Sequence, residues 1–359
     1  MAPTNILIYT SHNPQIAKDL MQDPHYVPDL VLIACQHEWQ YTSVGMDPSF
    51  DNIIDYANRH GVPVISVNGT PATVPYLHDV DDDRFSNYTV VYYPVHWIVN
   101  TVKLFEQRDP LSAQPIDHTD SSNNTQLFIT LNNKPWPHRC TIMDKLAEHN
   151  LLDKGKYTWD SLQELDGRSP QHAHDWYDWQ HWTPVKTLID DLPDWCTDTS
   201  YGWNGVLPQC YTQCFFQIVG EATTRAVFFT EKVVPPLMTG KPFLVAGAPG
   251  YHSALRDLGF ELYDEIFDYG FDTIEDDRIR VETMMQNIVQ YADLDPAQLA
   301  DLYRKIQSKA QHNSNHVRRI ADDPSMFIPH EIVQLCKLKH HDITKNELFH
   351  HWLHSSRRD

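Results

Sequence analysis

No run of about 18 apolar residues occurs in the 359-residue chain, so no segment reads as a membrane-spanning helix. The N-terminal stretch, Met1-Ala2-Pro3-Thr4-Asn5 leading into Ile6-Leu7-Ile8-Tyr9, lacks the basic region and apolar core of a signal peptide. A cytoplasmic protein is the expectation. Cysteine is sparse: six residues, at 35, 140, 196, 210, 214 and 336, with no Cys-x-x-Cys pair. Neither a zinc ribbon nor a disulfide framework is expected from that spacing, and reduced thiols are. Positive charge is also short. Lys and Arg total 28 against 48 Asp and Glu, a net charge of −20. Long-range repulsion from nucleic acid and anionic membranes follows, so any bound anion must meet a local cluster of cations. No internal repeat of fixed period is visible.

What is present points to a globular α/β protein. Hydrophobic residues make up 41% and charged residues 21% of the chain, and 359 residues suggest about two domains. Short β-branched runs at Ile6–Tyr9, Leu30–Ala34, Val62–Val67 and Thr89–Tyr93 read as strands, with helices at Gln15–Met21 and Asn52–His60 between them. Strand–helix alternation implies a parallel sheet covered on both faces. Residues 108–125 are polar and turn-rich, and read as a linker.

A second alternating series opens at Gln126–Leu131. It continues with a helix over Pro137–Asn150, a strand over Cys214–Val219, a helix over Thr230–Thr239 and a strand over Pro242–Ala246. A helix over Tyr251–Leu258 and two more near 277–292 and 296–312 complete it. Gly240 and Gly259 stand where helices should stop. The expected division is an acceptor-side Rossmann-like domain over 1–120 and a second Rossmann-like domain over 125–335. An aromatic-rich insertion at 159–211 and a tail at 336–359 complete it. Six of the ten tryptophans fall in 159–203 (Trp159, Trp176, Trp179, Trp182, Trp195, Trp203), suited either to a small core of their own or to the lining of an acceptor site.

The most informative residues run from Phe215 to Gly250. Thr230 can cap a helix whose first turn holds Glu231 and Lys232, and a helix start with a lysine beside it attracts phosphate. Glu231 could accept hydrogen bonds from ribose hydroxyls. Upstream, Asn133-Lys-Pro-Trp-Pro-His138-Arg139 follows a strand and places a guanidinium where it can bridge two phosphate oxygens.

Taken in order, Phe215 through Glu221, then Phe228-Phe-Thr230-Glu231-Lys232, Gly240-Lys-Pro242 and Gly247-Ala-Pro-Gly250 resemble the donor-binding core of the α1,3-fucosyltransferase family. The segment is similar as well to glycosyltransferase-like proteins of large bacteriophages, which carry an upstream element like that ending in His138-Arg139. The resemblance covers residues 126–300; Ala222 departs from the Asn that usually follows the strand-end Glu.

What this resemblance implies is a GT-B fold, two Rossmann-like domains facing across a cleft. The implied activity is an inverting glycosyltransferase that needs no metal and moves a sugar from a nucleotide-sugar donor to a glycan or other hydroxyl. Arg139, Glu221, Arg225, Thr230, Glu231 and Lys232 are the expected donor-binding residues. Inversion calls for one general base near the acceptor hydroxyl. Glu38, after the strand Leu30–Ala34, is favoured over Asp47, Asp117 and Asp120, with His37 and His96 as competitors. Two other readings stand beside this one. The acceptor could be a hydroxymethylated base of phage DNA, or the chain could be a non-catalytic carbohydrate-binding or virion protein of the same fold. Asp79-Val-Asp81-Asp82-Asp83 and the histidines 340, 341, 350, 351 and 354 are the remaining metal-like patterns, and both read as solvated polar stretches.

Overall fold

The computed structural model describes residues 6–10, 19, 21–23, 25–34, 48–68, 88–92, 94–109, 114–132, 136–158, 205–224 and 226–323. Glu38, His37, Asp47 and Arg225, most of the expected helix Gln15–Met21, the tryptophan-rich stretch through Trp203, the acidic run at 79–83 and the histidine-rich tail lie outside them. The protein is mixed α/β with two parallel sheets, and it divides into two compact units, residues 1–100 with 322–359 and Thr101–Ala321. No helix among the described residues is long and apolar enough to cross a membrane.

In the first unit, β1 (Ile6–Thr10), β2 (Leu30–Ala34), β3 (Val64–Asn68) and β4 (Tyr88–Tyr92) lie side by side in chain order, every pair parallel. Their β-branched runs suit strands covered on both faces. Leu7, Val31, Ile33 and Val64 pack with Ile53, Ile54, Tyr56 and Ala57 of helix α1 (Pro48–His60). Gly61, at φ +65°, ends that helix, and Val62 N–H closes back on Ala57 O at 2.9 Å.

Helix α2 (His96–Arg108) was not expected from the sequence. Its run of β-branched residues and its lack of an acidic first turn hide it. Yet Ile98, Val99, Val102 and Phe105 recur at helical spacing and are all buried.

The second unit carries β5 (Gln126–Leu131), helix α3 (Pro137–Glu148), β6 (Gly155–Thr158) and β7 (Cys214–Gly220). Helix α4 (Val234–Thr239), β8 (Phe243–Ala246) and helices α5 (Tyr251–Asp257), α6 (Asp277–Val289) and α7 (Pro296–Asp322) follow. The sheet order is β6-β5-β7-β8, all parallel. From β5 the chain steps outward to β6, then returns to lay β7 on the other side of β5. That reversal makes a topological switch point between β5 and β7. A crevice for ligands opens at the carboxyl ends of strands at such a point.

Two local expectations change. The stretch read as a linker is bound into the second unit. Ile116 N–H donates to Thr239 O at 2.8 Å, and His118 is fully buried, its Nδ1 2.7 Å from Asn124 Oδ1 and its Nε2 3.2 Å from Lys241 Nζ. Asp117 and Asp120, considered above as general bases, instead close turns here: Asp117 Oδ1 accepts from Thr119 N and Oγ1, and Asp120 Oδ1 from Ser122 N. The expected helix Thr230–Thr239 is a single 3₁₀ turn over Glu231–Val233 followed by the six residues of α4. Pro235 and Pro236 supply no N–H there, and Gly240 at φ +66° stops the helix.

Candidate functional site

Two chain segments meet at the carboxyl end of the β5–β7 pair. After β5, Trp136 leads into α3, with Pro137 preset for the first helical position. This brings His138 and Arg139 over the end of β7. Both are buried. Arg139 donates from Nε to Gly220 O at 3.2 Å and from Nη2 to Glu221 O at 2.8 Å. His138 Nε2 lies 2.7 Å from the same Glu221 oxygen, so that nitrogen carries the proton and Nδ1 is left as an acceptor. Nδ1 is buried and has no hydrogen-bond partner among the described residues. Burial first, and then the positive charges of Arg139, Lys232 and Arg280, push the imidazole down to about 3, against the opposing pull of the Glu221 carbonyl. Asn132, completely buried at the end of β5, likewise has an Oδ1 without a partner among the described residues; its Nδ2 donates to Thr130 Oγ1 at 2.9 Å. Gly220 is required where these groups crowd together. A Cβ there would sit 2.7 Å from both Arg139 Cγ and Asn132 Oδ1.

The second segment is Glu221 through Lys232. The Glu221 carboxylate is wholly buried and takes four hydrogen bonds. Oε1 accepts from Thr230 N at 3.1 Å and Tyr251 Oη at 2.9 Å; Oε2 accepts from Thr230 Oγ1 at 2.7 Å and Ala222 N at 2.8 Å. A buried carboxylate met by this many donors ties the end of β7 to the Thr230 turn and to α5. Thr230 Oγ1 in turn accepts from Lys232 N at 3.4 Å and Lys232 Nζ at 3.3 Å. Lys232 Nζ also pairs with Glu231 Oε1 at 2.6 Å. These two side chains are partly buried, at 24% and 15% exposure. Burial pushes the Glu231 carboxyl up, but Lys232 and Arg139 outweigh it and hold the group below the ordinary carboxylate range. Arg280 supports the neighbouring strand end, donating to Gly247 O at 3.0 Å and to Ile274 O and Glu275 O while pairing with Asp277.

No family model, curated protein or solved structure matches the chain.

Of the expected donor-binding residues, Arg139, Glu221, Thr230, Glu231 and Lys232 therefore share one neighbourhood, although 92 positions separate Arg139 from Glu231 (231 − 139). Their roles divide. Arg139 clamps two backbone carbonyls rather than standing open as a fork, and Glu221 is locked among protein donors. Both hold the site's shape, while Lys232 and Glu231 present charge. His96 is the first residue of α2, four positions after β4 ends at Tyr92. Arg225 and Glu38 fall outside the described residues.

Sequence reasoning missed Tyr251 and Arg280. Tyr251 sits directly after Gly250, and Gly247 carries no side chain because a Cβ would lie 2.7 Å from the Tyr251 ring. The Gly-x-Pro-Gly pattern was the available signal. One arrangement imitates catalysis without belonging to it: His252 Nδ1 lies 2.8 Å from Asp272 Oδ1. Its Nε2, however, accepts the Val245 N–H at 3.2 Å, so the pair saturates the outer edge of β8.

Proposed function

We propose that the protein is an inverting, metal-independent glycosyltransferase of GT-B type. In this reading the nucleotide-sugar donor binds at the switch point of the second sheet, and the acceptor belongs to the N-terminal unit. The observation that carries the proposal is the meeting of His138-Arg139 with Thr230-Glu231-Lys232 at the carboxyl ends of β5 and β7. These are the elements in which the sequence resembles a donor site, and in parallel α/β sheets such a place is where nucleotides bind. Lys232 neutralises the diphosphate, with Arg139 adding positive potential. Glu231 accepts from ribose hydroxyls. Thr230 and Glu221 hold the turn in place, and Glu38 or His96 takes the proton from the acceptor hydroxyl.

Calorimetric titration with nucleoside diphosphates tests the donor half. Lys232→Ala should weaken binding by about 1.5–3 kcal/mol, the range for a hydrogen bond to a charged group. Unchanged affinity in that variant places the donor elsewhere. For the transfer half, product formation from a panel of nucleotide sugars should survive EDTA. Glu38→Gln or His96→Gln should slow it by a factor on the order of 10²–10⁴ if that residue is the base.

A further inference from the structure

The Lys232 ammonium already has a negative partner. Glu231 Oε1 lies 2.6 Å from Nζ, closer than any other contact that nitrogen makes, and Thr230 Oγ1 takes a second donor position at 3.3 Å. Thr230 cannot be displaced easily, because its hydroxyl proton is committed to Glu221 at 2.7 Å inside the buried network. Glu231 can. Its side chain is partly exposed, at 15%, and none of the bonds that hold Glu221 depends on it.

We infer that Glu231 is an internal counter-ion seated in the anion position of Lys232, which a ligand must replace, and that this makes the site select polyanionic phosphates over single ones. The inference rests on the donor reading above and names how that same site discriminates. A single phosphate arriving at Lys232 takes the place of a carboxylate already there and loses its own hydration, so it gains little. A diphosphate brings further charge into the field of Arg139, and it can repel the Glu231 carboxylate outward while keeping contact with Lys232. The buried His138 ring stays neutral, so it adds no positive charge that a single phosphate could use instead. Once displaced, the Glu231 oxygens are available to a ligand hydroxyl, so one residue both bars small anions and then receives the correct ligand.

The probes are inorganic phosphate and pyrophosphate, which carry no ribose for Glu231 to contact, titrated calorimetrically into the full-length protein. The wild type should bind pyrophosphate at least tenfold more tightly than phosphate. Glu231→Gln, which keeps the shape and removes the charge, should bind phosphate about fivefold more tightly than the wild type and narrow the preference for pyrophosphate. Glu231→Ala should shift both affinities in the same direction, which guards against a local effect of the glutamine amide. If phosphate affinity is unchanged or weaker in both variants while Lys232→Ala still loses pyrophosphate, the counter-ion role is wrong and the donor site stands. If Lys232→Ala binds pyrophosphate as the wild type does, the donor site itself is misplaced and the inference falls with it.

Discussion

His138 shows how one buried ring can report on the whole site. Its folded value of about 3 lies below the 6.5 of an exposed imidazole, because burial and three nearby cations oppose a second proton. Between those values the unfolded chain binds a proton that the folded one does not. The contribution of His138 to stability is therefore complete above pH 6.5 and declines as the pH falls towards 3. His118 and His316 are lowered for the same first reason and act in the same direction. Glutamine at 138 keeps an N–H for the Glu221 carbonyl but does not titrate. Denaturant unfolding at pH 7 and pH 5 should show that His138→Gln loses about 2 kcal/mol less on acidification than the wild type. Equal losses would mean that the ring is not held neutral. The pair His138-Arg139 was visible in the sequence as a helix start, but its targets were not. Nothing in a linear reading says that a guanidinium will end on the carbonyls of residues 220 and 221.

At the level of elements, the site depends on how closely strand ends can approach. β5 and β7 are adjacent, with Ile129 opposite Gln217 and Thr130 opposite Ile218, and this register brings Asn132 against Gly220. Gly220→Ala forces a methyl group to within 2.7 Å of Arg139 Cγ and Asn132 Oδ1. A loss of about 1–3 kcal/mol in stability is expected from such overpacking, together with weaker pyrophosphate binding as the Arg139 clamp shifts. Gly61 is the control. It has φ +65° but no atom within 4 Å of its notional Cβ, so Gly61→Ala should cost stability through backbone strain and leave pyrophosphate affinity intact. Loss of binding in both variants would show that global destabilisation, and not the clamp, is being measured. Local signals predicted most of these elements well. Leu30–Ala34 and Gln126–Leu131 match their expected bounds because β-branched runs between turn residues are a short-range property. The four-residue β6 escaped notice because only packing distinguishes it from a loop, and α2 because its β-branched run masks the helical spacing of its apolar residues.

Across the whole molecule, charge and topology set the terms. With a net charge of −20, the protein repels polyanions at a distance, and in the proposed donor site the cations at the carboxyl ends of β5 and β7 oppose that locally. Long duplex DNA should therefore fail to compete with pyrophosphate at physiological salt, measured by displacement calorimetry. Effective competition by DNA would turn the acceptor assignment towards a nucleic-acid base. A nucleoside diphosphate at about 100 times its dissociation constant should meanwhile stabilise the fold by about 2.7 kcal/mol, read as a rise in melting temperature. Composition and strand–helix alternation by themselves determined that this is an α/β protein with parallel sheets, since hydrophobic period and turn chemistry act over a few residues. They also marked Thr230-Glu231-Lys232 as a charged turn. The tertiary structure alone decided that β6 lies outside β5 while β7 returns to its other side, which makes the switch point. It likewise decided that Glu221 and Arg139 are buried while Lys232 and Glu231 keep partial exposure. Strand order and burial depend on contacts between residues more than 80 positions apart, and such contacts leave no local periodicity to read.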